Sequence, residues 1–489
     1  MISAVAWRVQ SGRLMALSVR IVLLLGLGLG CWLRGTAGAG EPGSDARAAS
    51  ESEVGAATPA MSLEAALTYA RQHQPTLEAA RARVEAARRA AWTVRAEWLP
   101  QLGGTAQIFF GTMNNSTAAS LGVRTLDLPR VGASRTGSSW SEAYPSTLLG
   151  VGVRQTVYDF GRLAALAAAA DADTTVSRMR AAAEELEVGL QVESQFYAVL
   201  AAKSVERAAA DAYKRAQVRR DMVKASVDRG LRPPIDLTRA EADLTRFDVD
   251  RTRAHGSIEA AQALLAAAVG TPAPLLDAVE PSGGAAQEPL PPLGVTLEQA
   301  LAADPIRRAA LARLLGQEAL TRATQRQWAP SLSFTATVSG RAGGAPLTSG
   351  PSGESGLLPA IPNWDVGLVL TAPLFDGVLL ARRDQSRALE DVLRRELDVA
   401  QRRVLTELQR AYTGFHLATA TLPALLSATA AAQKNYDQAS ARFRAGLATS
   451  VELADAEALR TEAEIQLAVG RFDVARARAV FNRAVARGL

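Results

Sequence analysis

The chain has 489 residues, 48% of them hydrophobic and only 5% aromatic, with alanine dominant, a composition that suits long helical rods better than a thick globular core. Its formal charge of +5 rests largely on Arg8, Arg13, Arg20 and Arg34, which lie in the first 39 residues with no acid to offset them. The remainder is close to neutral, so a nucleic-acid partner loses its electrostatic basis; His73, His255 and His416 share no ligand spacing, and no phosphate loop or nucleophile set argues for an enzyme, a metal or a cofactor.

The apolar run Ile21 to Leu33, with arginines before it and Ala37-Gly38-Ala39 after it, is too short for a membrane span and predicts a secretory signal peptide over 1–39. Cys31, the only cysteine, is a candidate for lipidation, although Gly28 stands where such signals usually carry Leu. Residues 40–60 lack periodicity and are expected to be flexible. From there two repeats are expected, over 61–270 and 295–489, joined by a Pro/Gly-rich linker over 271–294.

In the first repeat a short apolar face begins at Leu63, Pro75 interrupts it, and an Ala/Arg-rich helix runs from Leu77 to Trp98-Leu99-Pro100. Leu102 to Met113 has strand composition, 114–147 is loop-like, and from Leu149 the alternation of Leu149, Val151, Val153 and Val157 with Gly150, Gly152, Arg154 and Thr156 predicts a strand. After Tyr158-Asp159-Phe160-Gly161 a long helix is expected to about Arg229, with Met179, Ala183, Leu186, Leu190, Tyr197 and Leu200 near its seam. Gly230-Leu231-Arg232-Pro233-Pro234 breaks it, and a return helix ends at Val269.

The same programme then restarts. Leu297-Glu298-Gln299-Ala300-Leu301 answers Leu63-Glu64-Ala65-Ala66-Leu67, Gln327-Trp328-Ala329-Pro330 answers Glu97-Trp98-Leu99-Pro100, and Gly446-Leu447 answers Gly230-Leu231. Residues 331–339 and 363–372 alternate apolar with small or polar side chains, as membrane strands do, and Trp140, Trp364, Tyr158 and Phe375 lie near strand ends where an aromatic girdle would sit. Soluble hairpins packed on helices are the bland alternative. From Gly377 to Gly446 the seam Val404, Leu408, Ala411, Phe415, Ala418, Leu422, Leu425, Thr429, Ala432, Tyr436, Ala439 and Phe443 steps by four and three, the signature of a coiled coil. Pro423 lies inside it, where a kink or loosening is expected.

Two strands per repeat make four per chain. An open sheet cannot span hydrocarbon, because each unpaired edge amide costs several kcal/mol, and four strands cannot surround a lumen. Several copies must therefore share one barrel, with their rods running together beneath it.

These features resemble the TolC-type outer-membrane efflux proteins: the duplicated plan, the two Trp-x-Pro junctions, the Tyr158-Asp159-Phe160-Gly161 and Pro373-Leu374-Phe375-Asp376-Gly377 strand ends, and the two Gly-Leu turns. The resemblance implies a mixed fold: duplicated long antiparallel coiled-coil helices forming a trimeric α-helical barrel, with four β-strands per chain in a shared twelve-stranded outer-membrane β-barrel. It implies a homotrimer in outer-membrane lipid of a Gram-negative bacterium, reaching into the periplasm, with a periplasmic adaptor (membrane fusion) protein and an inner-membrane pump or ABC exporter as partners. The duct would be passive, for efflux of small molecules (drugs, toxic compounds or metal ions), with type I protein secretion or a periplasmic adaptor or scaffold role as alternatives.

By the same resemblance, Gly230, Leu231, Gly446 and Leu447 form tips that meet the adaptor, and Glu452 and Asp455 line the periplasmic entrance. Thr449-Ser450-Val451-Glu452 also reads as a capping box, and Asp455 as an ordinary solvated charge. Where latched family members carry a tyrosine and an arginine, this chain has Phe443 and Ala448. Asp236, the matching acid of the first tip, is thus expected to lack both of those partners, with Pro233 and Pro234 stiffening the tip instead and a weaker polar latch.

Overall fold

The computed structural model describes residues 58–112, 143–280, 289–343 and 361–486. The expected signal peptide with Cys31, most of the lead expected over 40–60, Trp140 and most of the loop expected over 114–147 lie outside these residues.

After the two-residue β1 (Ala60–Met61), α1 (Leu63–His73) and α2 (Pro75–Ala96) are separated by Gln74, and α2 opens on Pro75, whose missing N–H suits the first turn of a helix. The hairpin β2 (Gln101–Thr112) and β3 (Ala143–Tyr158) leads into α3 (Arg162–Asp228) and α4 (Pro234–Val269). Following β4 (Asp277–Ala278), the order repeats as α5 (Leu293–Ala303), α6 (Pro305–Arg326), β5 (Ser331–Gly343), β6 (Ile361–Thr371), α7 (Gly377–Arg444) and α8 (Ser450–Ala484).

Both long helices start from an aspartate, Asp159 directly after β3 and Asp376 five residues beyond β6. Asp159, 2% exposed, accepts hydrogen bonds from the Gly161 and Leu163 amides at 3.0 and 2.6 Å; Asp376 accepts from Val378 and Leu379 at 2.8 and 3.2 Å. These side chains satisfy amides that a helix start leaves unpaired.

The α7 seam is as periodicity predicts: Val404, Leu408, Ala411, Phe415, Ala432 and Phe443 are buried and the intervening seam residues half-buried. Helix α7 continues through Pro423 without a break in the helix. Half-buried Leu422 and Leu425 pack on either side of it, and Leu425 fits against Gly470 of α8, where no side chain intervenes. The α3 seam differs from expectation. Its buried residues include Val188, Val192, Phe196, Val199 and, as expected, Leu200, while Met179, Ala183, Leu186, Leu190 and Tyr197 are half-buried. Helix α3 packs against α2, α4, α6 and α8, so more than one stripe is covered.

The helices form two arcs sharing α3 and α7. Near the sheet the neighbours run α2, α3, α6, α7; toward the far end they run α4, α3, α8, α7. The linker contributes more than expected: Leu276 is fully buried, and Asp277–Ala278 pairs in parallel with Ala60–Met61 at the end of the flexible lead. Lys203 of α3 holds this bridge, its Nζ 2.7 Å from Asp277 Oδ2 and 3.0 Å from the Ala278 carbonyl.

The four long strands form one antiparallel sheet in the order β2-β3-β5-β6. Its register, with Leu102 opposite Val153, Val151 opposite Val338 and Val338 opposite Trp364, places large apolar side chains on one face. That face is bare: Leu102, Ile108, Val338, Trp364 and Val366 are all at least 61% exposed. Gly152, Thr337 and Asp365 align on the other face. A bulge between Thr156 and Tyr158 shifts the pairing so that Tyr158 faces Leu332, and Val157 and Tyr158 are both exposed. Leaving such side chains in water forgoes about 1.5–3 kcal/mol each, and β2 and β6 end the sheet with unpaired ladders.

Candidate functional site

The ends of the long hairpins farthest from the sheet repeat one turn. Gly230 has φ 71° and Gly446 φ 75°, the left-handed conformation that terminates a helix without a Cβ penalty. The amides that follow bond back in the same way, Leu231 to the Ser226 carbonyl at 2.9 Å and Leu447 to the Arg442 carbonyl at 2.8 Å. Leu231 and Leu447 are 74% and 71% exposed, an apolar side chain presented at each tip.

The two tips are bonded to each other. Ser450 Oγ donates to Asp236 Oδ1 at 2.8 Å, and Arg232 Nη1 lies 3.5 Å from Asp236 Oδ2. The Arg232 guanidinium also sits 3.9 Å from the centroid of the Phe443 ring, and its Nη2 donates to the Phe443 carbonyl at 3.4 Å. Asp236 is therefore held by Ser450 and Arg232, two partners the sequence reading did not name. The cation comes from the first tip rather than the second, and Phe443 serves as a stacking surface, a contact worth about 0.5–2 kcal/mol. Thr449 caps α8, its Oγ1 accepting from the Glu452 amide at 3.2 Å, while the Glu452 carboxylate points toward Arg442 at 4.0 Å. Asp455 is exposed on α8.

Inward from the tips Val223, Ala240, Phe443, Ala448 and Leu453 form a small apolar layer. Beyond it comes a layer of ions. Arg219 of α3 reaches Asp243 of α4 at 2.6 Å and Glu457 of α8 at 3.1 Å, the second contact being Coulombic, without hydrogen-bond geometry at Nη1. Arg215 reaches Glu457 at 3.7 Å and Glu464 at 3.3 Å, and Arg460 binds Glu464 at 2.8 Å while lying over the Tyr436 ring of α7. Three guanidinium groups and three carboxylates thus link all four helices of this arc. The Glu457 side chain is 1% exposed, and burial pushes its carboxyl up, against the opposing pull of Arg219 and Arg215.

Arg232, Ser450 and this ionic layer were missed from sequence. A signal existed: Arg215 and Arg219 are one turn apart among buried Ala212, Ala216 and Val223, and Glu457 follows Leu453 and Ala456 on a buried stripe. Among the described residues no three His, Cys, Asp or Glu side chains gather as a metal-binding set.

A sheet with one bare apolar face and two open edges is joined here to long rods, each started by a capping aspartate, whose far tips are bonded to each other. The sequence pattern of the family described as outer membrane efflux protein matches residues 66–271 and again 296–486. The chain belongs to this family, whose members are outer-membrane channels rather than enzymes, and it is an efflux channel of the outer membrane.

The fold is similar to that of the outer-membrane channel OprN (TM-score 0.71, 19% identity, covering 87% of this chain and 90% of that one). It is also similar to the CmeC outer membrane channel of Campylobacter jejuni (0.73, 15%, 87% and 86%) and to the open state of the MtrE outer membrane channel of Neisseria gonorrhoeae (0.67, 20%, 87% and 89%). No curated protein matches the sequence.

Proposed function

We propose that three copies close their four-stranded sheets into one twelve-stranded barrel in the outer membrane, the rods continuing as a helical tunnel through the periplasm. The duct is passive, taking small toxic molecules from an inner-membrane pump through an adaptor that docks at Gly230-Leu231 and Gly446-Leu447. The open-edged sheet with its bare apolar face carries this reading, because that surface is satisfied only by closure in lipid. At the entrance the Arg232–Asp236–Ser450 contact holds the two hairpins of one chain together, and Glu452 and Asp455, repeated around the axis, form an acidic ring that favours cations.

Outer-membrane fractionation, heat-modifiable migration and the mass of the detergent-purified particle test the assembly; a soluble monomer would end this reading. Conductance in a planar bilayer tests the ring. Replacing Glu452 and Asp455 by Ala is expected to lower cation preference, and an unaltered preference would remove the ring from the account.

A further inference from the structure

The duplicated sequence keeps one register through both hairpins, with Gly446 answering Gly230, so each position of the second hairpin has a counterpart in the first. One such position is filled in the second and open in the first. Leu425 of α7 lies so close over Gly470 of α8 that a Cβ there would strike its Cδ1. The counterparts are Ala209 of α3 and Ala254 of α4, while Phe247 stands where the second hairpin has Ala463.

Around Ala209 and Ala254 the first hairpin leaves a hollow of about 330 Å³, walled further by Val205 of α3, Phe247 of α4, and Thr461 and Ile465 of α8. The hollow begins where the ionic layer ends. Arg219 ties α4 to α8 through Asp243 and Glu457, whereas Phe247 and Thr461, each one turn farther from the tips, border open space instead. The volume is at the lower end of the range of about 300–1,000 Å³ for ligand pockets, and far above the water-sized gaps left between packed side chains.

The walls ask for no charge. Asp250 and Arg253, the two ions on the border, pair with each other at 3.9 Å and cancel. The Thr461 hydroxyl donates to the Glu457 carbonyl at 2.9 Å and accepts from Arg215 Nη2 at 3.2 Å, so its own bonding is complete. What remains is aliphatic, apart from the buried Phe247 ring, which favours an offset or edge-on aromatic partner. A charged guest would lose its hydration there without a partner in return. We infer that this hollow binds a compact, uncharged aromatic molecule, whose body takes the place that Leu425 takes in the sister hairpin and whose ring packs against Phe247. The site lies in the rods, apart from both the tips and the sheet, and it gives the wall of the duct a ligand preference of its own.

Fluorescence titration of the full chain, moved from detergent into amphipol, tests the site with N-phenyl-1-naphthylamine, an uncharged aromatic probe that brightens in apolar surroundings. Ala209→Leu places in the hollow the side chain that the second hairpin already carries, and Ala254→Leu fills it from α4 should the first variant fold poorly; helical circular dichroism checks both. Each is expected to weaken saturable probe binding at least tenfold. The naphthylamine carrying a sulfonate, otherwise the same molecule, is expected to bind the parent and the filled variants alike. Probe binding as tight in both filled variants as in the parent would overturn the site, and a sulfonated probe displaced by the same substitutions would overturn the uncharged class. Filled variants that keep probe binding yet lose cross-linking to the adaptor would give the hollow to a protein segment and equally overturn the inference.

Discussion

Arg219 offers a measurement of what the ionic layer contributes. Its side chain is 6% exposed and touches Asp243 at 2.6 Å and Glu457 at 3.1 Å. In Arg219→Ala, Asp243 retains Arg246 at 3.7 Å, but Glu457 keeps only Arg215 at 3.7 Å while remaining 1% exposed. Stranding a buried charge in this way costs about 3–5 kcal/mol, whereas replacing both partners by apolar side chains of similar volume is often neutral. Thermal melting of the detergent-purified protein, followed by its helical circular dichroism, should therefore show Arg219→Ala several degrees below the parent. Arg219→Met with Glu457→Met should lie close to the parent. The deficit of the single variant also depends on pH. Burial raises the folded-state value of Glu457, so its contribution is fully present below the ordinary 4.5 and is lost as pH climbs through the raised value. Without Arg219 that value rises further, and the deficit should narrow on acidification. Equal melting of Arg219→Ala and the parent, or a double variant as damaged as the single, would refute a strongly coupled layer.

Gly446→Ala meets no atom within 4 Å of the added Cβ, so its cost is the backbone's alone, about 1–2 kcal/mol for a left-handed residue, and limited proteolysis should detect earlier cutting at that tip. Two carboxylates work in the opposite direction to Glu457. Burial alone would raise Glu407 and Asp277, but hydrogen bonds from Arg403 and Arg483 to the first, and from Lys203 and Gln262 to the second, hold both below the ordinary values of 4.5 and 3.8. Their contributions are present above those values and lost as pH falls through the depressed ones, so acid melting should weaken in Glu407→Gln and Asp277→Asn relative to the parent.

The rods and strands were legible because periods of 3.5 and 2 are written locally, and seam residues such as Leu408 and Phe415 or strand residues such as Val338 and Val366 cannot satisfy the other period. The turns were legible because Gly230 and Gly446 occupy a conformation few other residues tolerate. Of the partners of Asp236, Arg232 lies only four positions away and was overlooked, whereas Ser450 lies 214 positions away and its direction depends on how two hairpins dock. The fully buried stripe of α3 was displaced because neighbours on several sides cover residues that a single-seam pattern leaves half-open. Leu276 and Asp277 were hidden by a Pro/Gly-rich context in which a two-residue bridge leaves no periodic trace.

Asp159 and Asp376 each fix the sheet-proximal end of a long helix by accepting hydrogen bonds from two backbone amides at its start. Helix α3, with 67 residues, is about 100 Å long at about 1.5 Å per residue. It therefore behaves as a lever with its fulcrum at the barrel rim: each degree of tilt there becomes about 2 Å of travel at the opposite extremity. An angular change of a few degrees at the sheet-proximal end would thus displace the tip by several ångströms with the helix itself intact.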